Sequence, residues 1–143
     1  MLLTIIAFIA ILALLVLAHE WGHFFAARRL GVAVLEFGFG FPPRAWGFVR
    51  HGVHYTLNWL PLGGFVKLKG EAGEAKGEPD SFSAQVAWRR TVILVAGVTM
   101  NVVLSAVLLS IGFAVGVPTI IDDARLSQAR DVKVQIVSVV PNS

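Results

Sequence analysis

Apolar and polar positions fall into three regimes along the chain. Residues 2–18, LLTIIAFIAILALLVLA, carry no charge, and after a polar interruption at HEWGH the apolar run resumes with Phe24, Phe25, Ala26 and Ala27. A second uncharged stretch runs from Thr91 to Ile121, with its apolar core from Val92 to Val117. A helix needs roughly 20 apolar residues to cross a bilayer, so the pattern predicts transmembrane helices over 1–27 and 91–117. Val16-Leu17-Ala18 would also suit a signal-peptide cleavage site. However, no basic residue precedes the run, and the apolar helix continues past that point, so an uncleaved span is the reading adopted.

The region between, 28–90, is patterned differently. Phe37-Gly38-Phe39-Gly40-Phe41 alternates aromatic and glycine, and Val53, Tyr55, Leu57 and Trp59 alternate with His54, Thr56 and Asn58. Phe65-Val66-Lys67-Leu68-Lys69 alternates again after Pro61-Leu62-Gly63-Gly64. Period-two alternation punctuated by Gly and Pro predicts two or three short β-strands joined by turns. Their aromatic content suggests a face that touches lipid headgroups or dips into the membrane. Backbone at that depth must be paired or face a cavity, which favours a hairpin over a loose loop. Residues 70–80, GEAGEAKGEPD, read as a polar, flexible tether, and 132–140, VKVQIVSVV, as the opening strand of a further domain.

Composition sharpens this. Hydrophobic residues make up 56% of the 143 and charged residues 15%, with a mean hydropathy of +0.74. Soluble domains carry about 25% charged residues, so an ordinary soluble enzyme is excluded. The absence of cysteine excludes a disulfide scaffold, a thiolate metal site and a cysteine nucleophile. A net charge of +3 could suggest nucleic acid, but the basic residues are placed otherwise. Nine lie between the two spans, three follow the second, and none precedes the first; Arg28-Arg29 and Arg89-Arg90 mark the membrane ends. The positive-inside rule then sets the central loop in the cytoplasm and both termini across the membrane. The basic balance is a topology signal, and no nucleic-acid partner is expected.

The chemistry is concentrated in His19-Glu20-Trp21-Gly22-His23. Positions i and i+4 share one face of a helix, so His19 and His23 can hold one metal ion, with Glu20 beside them as a general base. Ionisable groups inside a membrane helix are costly and mark function by default. The alternative is a helix that ends near Ala18, leaving HEWGH at the interface with Trp21 as a belt residue.

With HEWGH late in the first helix, the ordered set that follows resembles the site-2 proteases, zinc metalloproteases that cut substrates inside the membrane. The set comprises Phe39-Gly40-Phe41-Pro42, Pro61-Leu62-Gly63-Gly64-Phe65-Val66, Trp88-Arg89-Arg90 and Ala96-Gly97-Val98-Thr99-Met100-Asn101. Ile136 to Ser143 is similar to the start of a PDZ domain, which points to the bacterial PDZ-containing branch. The implied fold is a mainly α-helical membrane protein. Its two transmembrane helices flank a cytoplasmic-side, membrane-associated β-hairpin region, and 118–143 enter a PDZ-like domain.

The resemblance implies Zn²⁺ held by His19 and His23, with Glu20 as the base. It also implies a third ligand, an aspartate of an L-D-G motif in a later helix. No such motif occurs here, and Asp80, Asp122, Asp123 and Asp131 all fall outside the predicted spans, so the chain reads as an N-terminal portion that is inactive alone. Val98 stands where the family commonly has proline, which puts a local kink of the second helix in question.

Implied substrates are single-pass membrane proteins in the lipid bilayer of the cell's inner membrane, such as anti-sigma factors or signal-peptide remnants. An unwound substrate segment could add to a strand edge at 53–59 or 65–69, with Gly63 and Gly64 allowing close backbone approach. Asn101 either lines the active-site cavity or makes an interhelical hydrogen bond. Gly97, Ser105 and Gly112 suit close helix packing. His51 and His54 could add ligands, but near water they read rather as solvated. Two other classes stay open: a non-catalytic relative that binds membrane helices, and a zinc-handling membrane protein.

Overall fold

The computed structural model describes residues 1–116. In chain order these form helix α1 (Leu2–Arg29), strands β1 (Val34–Arg50) and β2 (Val53–Leu68), a 3-10 turn (Phe82–Ala84) and helix α2 (Ala87–Val115). Met1–Ser110 make one compact unit; the second, Ile111–Ser143, holds the last residues of α2, and the expected PDZ-like start over 118–143 lies outside the described residues.

Both helices are long and apolar enough to cross a membrane. At about 1.5 Å per residue, each spans roughly 40 Å, more than the hydrocarbon core of about 30 Å. Every side chain from Met1 to Ile11 is exposed, a surface that lipid accepts and water penalises. α1 runs unbroken through HEWGH to Arg29, so the motif is helical and does not sit beyond a helix end at Ala18. The helix stops through local chemistry. Gly31, at φ +80°, takes the left-handed position, Val32 N–H bonds to Ala27 O at 2.9 Å, and Gly31 N–H bonds to Arg28 O. This paired closure is a Schellman motif, and Ala27 and Val32 are both buried in the core it brings together.

α2 carries four hydroxyls on its length, each folded back onto its own helix. Thr91, Thr99, Ser105 and Ser110 donate to the carbonyls of Ala87, Val95, Asn101 and Ala106, which hides the hydroxyls from an apolar surround. Ser105 therefore bonds within its own helix and is exposed, making no close helix contact among the described residues. The helix is continuous through Val98.

The sheet departs from the expected short strands. There are two long strands, and Pro61-Leu62-Gly63-Gly64 is not a turn but lies inside β2. They join through His51 and Gly52, both at positive φ, the two-residue type I′ pattern whose twist suits a hairpin. The antiparallel hairpin 44–50 with 53–58 then doubles back: Phe37 pairs with Val66 and also with Tyr55, and Phe39 with Gly64 and also with Leu57. Residues 36–39 are thus flanked on both sides, and the runs lie in the order 60–68, 34–41, 53–58, 44–50. The bends fall at Pro42-Pro43, which have no N–H for a ladder, and at Trp59-Leu60. Alternation alone marked the paired runs but could not show that the chain stays in the sheet around these bends.

Ala27, Val32, Val34, Val53, Leu68 and Ile93 form the buried core, with Phe24, Phe37 and Tyr55 packed against it. Phe24 and Phe37 meet edge to face at 5.4 Å, a favoured aromatic geometry, and this ties the sheet to the C-terminal half of α1. The 70–80 segment is anchored, not a free tether. Ala33 N–H bonds to Asp80 O, and Lys69 N–H to Ala33 O, both at 2.9 Å; Phe82 N–H bonds to Lys69 O at 2.7 Å. The Lys69 ammonium holds both Asp80 oxygens at 2.9 and 3.1 Å and pairs with Glu78. Gly and Glu content suggested flexibility because neither the cross-loop backbone bonds nor the Lys69 pairing shows in composition.

Candidate metal centre and substrate cleft

The i, i+4 spacing puts His19 and His23 on the face of α1 turned toward α2. Opposite them α2 presents Ile93, Gly97 and Asn101, themselves spaced by four. His23 Nδ1 lies 2.8 Å from Ile93 O. A carbonyl only accepts, so Nδ1 carries the proton and Nε2 is left with its lone pair. The Nε2 atoms of the two histidines stand 3.1 Å apart, with the rings edge to face. Asn101 Nδ2 lies 3.4 Å from His19 Nδ1, and its Oδ1 is buried with no partner, an omission that costs about 1–3 kcal/mol.

Two glycines let the helices meet here. A β-carbon on Gly97 would lie 2.8 Å from both Cε1 and Nε2 of His19 and closer still to His23 Nε2. One on Gly22 would press into the Ala96 carbonyl. The third contact is with the sheet: a β-carbon on Gly64 would stand 2.9 Å from Glu20 Cγ and 3.0 Å from Val16 Cγ1. Glu20, His19, Asn101, Gly63, Gly64, Leu15 and Val16 line one cavity of about 250 Å³. Five of the six side chains and glycines expected from sequence therefore face one space, and His23 adjoins it through His19.

The pair of imidazoles fits a zinc ion. Zinc–nitrogen bonds run about 2.0–2.1 Å, so two Nε2 atoms about 3 Å apart are spaced as neighbouring ligands of one ion. Among the described residues no third His, Cys, Asp or Glu completes a metal cluster. Asp80 is engaged by Lys69, while Asp122, Asp123 and Asp131 lie outside the described residues. His51 and His54 are exposed at the far end of the hairpin and are not brought to the site.

The sheet presents one open edge to this cavity. Residues 54–57 have ladder partners on both sides, 36–39 and 46–49, whereas 64–67 pair only with 36–39 among the described residues. Of the two candidate edges, 53–59 and 65–69, the second is the open one, and Gly63 and Gly64 immediately precede it on β2. Sequence reasoning missed the Ile93 carbonyl that orients His23, since any residue supplies a carbonyl; only its spacing of four from Gly97 hints at it. It also missed Asn58 and Thr56, polar residues buried in the sheet, which bond to Gly40 O and to Glu36 Oε1, each at 2.9 Å.

The sequence of this chain is similar to those of known proteins. The family model of peptidase family M50 covers residues 7–141. The chain is 37% identical over 118 residues to "Protease RseP" of Yersinia pestis, an alignment covering 80% of this chain and 26% of that protein. It is 30% identical over 141 residues to "Regulator of sigma E protease" of Haemophilus influenzae, covering 96% and 29%. It is 44% identical over 71 residues to "Zinc metalloprotease RasP" of Shouchella clausii, covering 50% and 17%. The chain thus spans about a quarter of the length of the curated relatives it matches. With the family model laid over nearly all of its residues, and HEWGH helical against a glycine-lined partner helix, the chain belongs to peptidase family M50, the site-2 proteases.

Proposed function

We propose that this chain carries the zinc-binding and proton-transferring part of an intramembrane metalloprotease that hydrolyses peptide bonds within transmembrane segments of single-pass membrane proteins. The observation that carries the reading is the single cavity shared by His19, Glu20 and the open glycine edge of β2. His19 and His23 would hold zinc, together with a ligand supplied from elsewhere in the protein. When bound, zinc supplies Lewis-acid activation of water and of the scissile carbonyl. The Glu20 carboxylate takes a proton from the attacking water and delivers it to the departing amide nitrogen, the general base and acid role.

Substrate handling follows from the open edge. A membrane helix hides its own amides, so it must unwind before its backbone can be attacked. The outward N–H and C=O groups of 62–67 would pair with the unwound segment as an added strand, while Gly63 and Gly64 let it lie close to Glu20. Asn101 lines the same cavity and would meet the substrate backbone. The exposed Phe41, Trp46, Trp59, Leu60 and Leu62 suit a hairpin in contact with the lipid bilayer. The charge distribution supports an inner-membrane protein with this hairpin on the cytoplasmic side. Anti-sigma factors and signal-peptide remnants are substrates of suitable form for regulated intramembrane proteolysis.

The test compares the complete protein with its Glu20→Gln variant on a single-pass substrate in detergent. Cleavage by the first, lost in the variant and on chelation, is the expected result. Cleavage that survives both treatments would overturn the reading.

A further inference from the structure

The hydrogen-bond chain across the two helices runs in one direction. Asn101 Nδ2–H points at His19 Nδ1, His19 Nε2 faces His23 Nε2, and His23 Nδ1–H points at Ile93 O. Since Ile93 O only accepts, His23 Nε2 is an acceptor, so the proton between the rings belongs to His19 Nε2. His19 Nδ1 must then accept from Asn101. Each bond in the row is satisfied, and the cost falls on one atom, the buried, unpartnered Asn101 Oδ1.

A metal ion between the rings breaks that arrangement. Both Nε2 atoms would have to present lone pairs, so His19 has to carry its proton on Nδ1 instead. A donor then stands where Asn101 also offers a donor. A half-turn of the amide resolves the conflict, because its oxygen and nitrogen are nearly isosteric and exchange places. The otherwise unpartnered oxygen then receives the His19 Nδ1–H. His23 needs no such change, since a backbone carbonyl already fixes its tautomer.

We propose that Asn101 is the positioning residue for His19: its amide turns when metal binds, and its oxygen accepts the Nδ1–H that keeps Nε2 directed at the ion. Ile93 O, Gly97 and Asn101, one per turn of α2, thus act as a cradle that orients both imidazoles and leaves room between them. This rests on the zinc-protease reading above. It gives Asn101 a task distinct from contact with the substrate, because an acceptor is required of it rather than a donor.

That distinction supplies the test. Zinc affinity is measured by chelator competition on the complete protein in detergent, for wild type, Asn101→Asp and Asn101→Leu. Outer hydrogen-bond partners of metal-bound histidines are worth about 10–100-fold in affinity. Asn101→Leu should therefore bind zinc about 10–100-fold more weakly. Asn101→Asp, which only accepts, should stay within about threefold of wild type. Equal affinity of Asn101→Leu and wild type would overturn the inference, as would an Asn101→Asp variant as weak as Asn101→Leu. A second measurement needs no variant: nitrogen-15 spectra of zinc-loaded wild type should show His19 protonated at Nδ1, and a bare Nδ1 would overturn the assignment. Failure of wild type itself to bind zinc would instead remove the protease reading and this inference together.

Discussion

Gly97 faces His19 so closely that a β-carbon in its place would lie 2.8 Å from His19 Nε2. The helix partner of the His19–His23 pair is therefore bare backbone at the point where the rings meet it. Gly97→Ala should displace both imidazoles, lowering zinc affinity at least tenfold and abolishing cleavage by the complete protein. Gly22→Ala acts one step away, by forcing α1 off the Ala96 carbonyl. Its effect should appear first as a lowered thermal midpoint, with zinc binding lost only as the helices part. Chelator competition and thermal unfolding of the two variants separate these outcomes, and an unaltered zinc affinity in Gly97→Ala would contradict the geometry.

Glu20 shares the cavity with His19 but need not hold the metal. Glu20→Gln keeps the shape and removes the proton acceptor. Turnover should fall by about 10²–10⁴-fold, the usual worth of a positioned acid–base group, while bound zinc per chain is unchanged. Loss of zinc along with activity would instead make Glu20 a ligand.

The clasp at the loop gives a pH dependence. The Lys69 ammonium beside Asp80 holds that carboxyl below its ordinary value, while Glu78 and Asp80 hold the Lys69 ammonium above its own. A depressed carboxyl contributes stability that is present above its unfolded value and fades as pH falls through the folded one; the raised lysine contributes below its unfolded value and fades as pH rises through the folded one. Amide exchange at Ala33, Lys69 and Phe82 should thus quicken below the ordinary aspartate range and again above the ordinary lysine range, relative to the rest of the sheet. Both groups lie at the surface, so salt should weaken the effect. In Lys69→Met the acid limb should vanish; an acid limb that persists would assign it to another group.

That His19, Glu20 and His23 come together was legible in the sequence, for a physical reason. His19 and His23 lie one turn apart, and Glu20 is their neighbour, so helix periodicity alone brings them together. The two long apolar helices were legible because a helix fit to cross lipid needs no partner pattern, only length. The sheet was harder. Alternation reports which residues share a face, but the second pairing of Phe37 and Phe39 depends on bends at Pro42-Pro43 and Trp59-Leu60, and those reverse the chain without ending the ladder. The cradle on α2 was hidden for a different reason. Gly97 acts through a missing side chain and Ile93 through its carbonyl, and neither has a residue-type signature.

The exposed aromatic tip of the sheet should report lipid contact. Trp59 is 71% exposed and Trp46 61%, with Phe41, Leu60 and Leu62 beside them, a concentration of apolar surface uncommon on water-facing sheets. In vesicles containing brominated lipid, a variant keeping Trp59 as its sole tryptophan should be quenched strongly. Quenching by aqueous iodide that exceeds quenching by the brominated chains would place the tip in water.

The open edge of β2 predicts a pattern rather than a single loss. Along an edge strand every second N–H points into the ladder and the others point outward. Proline removes the donor wherever it is placed. Substituted singly from Leu62 to Lys67, it should therefore act with a period of two. At inward positions the ladder to 34–41 breaks, and the thermal midpoint falls together with cleavage. At outward positions the fold keeps its midpoint, but cleavage of a helical substrate drops at least tenfold because the added strand loses a partner. Equivalent substitutions over His54–Leu57, which are paired on both sides, should only destabilise. Period-two loss at constant stability is what strand addition requires and what a general packing role does not produce. If every outward proline left cleavage of the helical substrate intact, the unwound segment would have to be held elsewhere, and the glycines would serve only to admit Glu20.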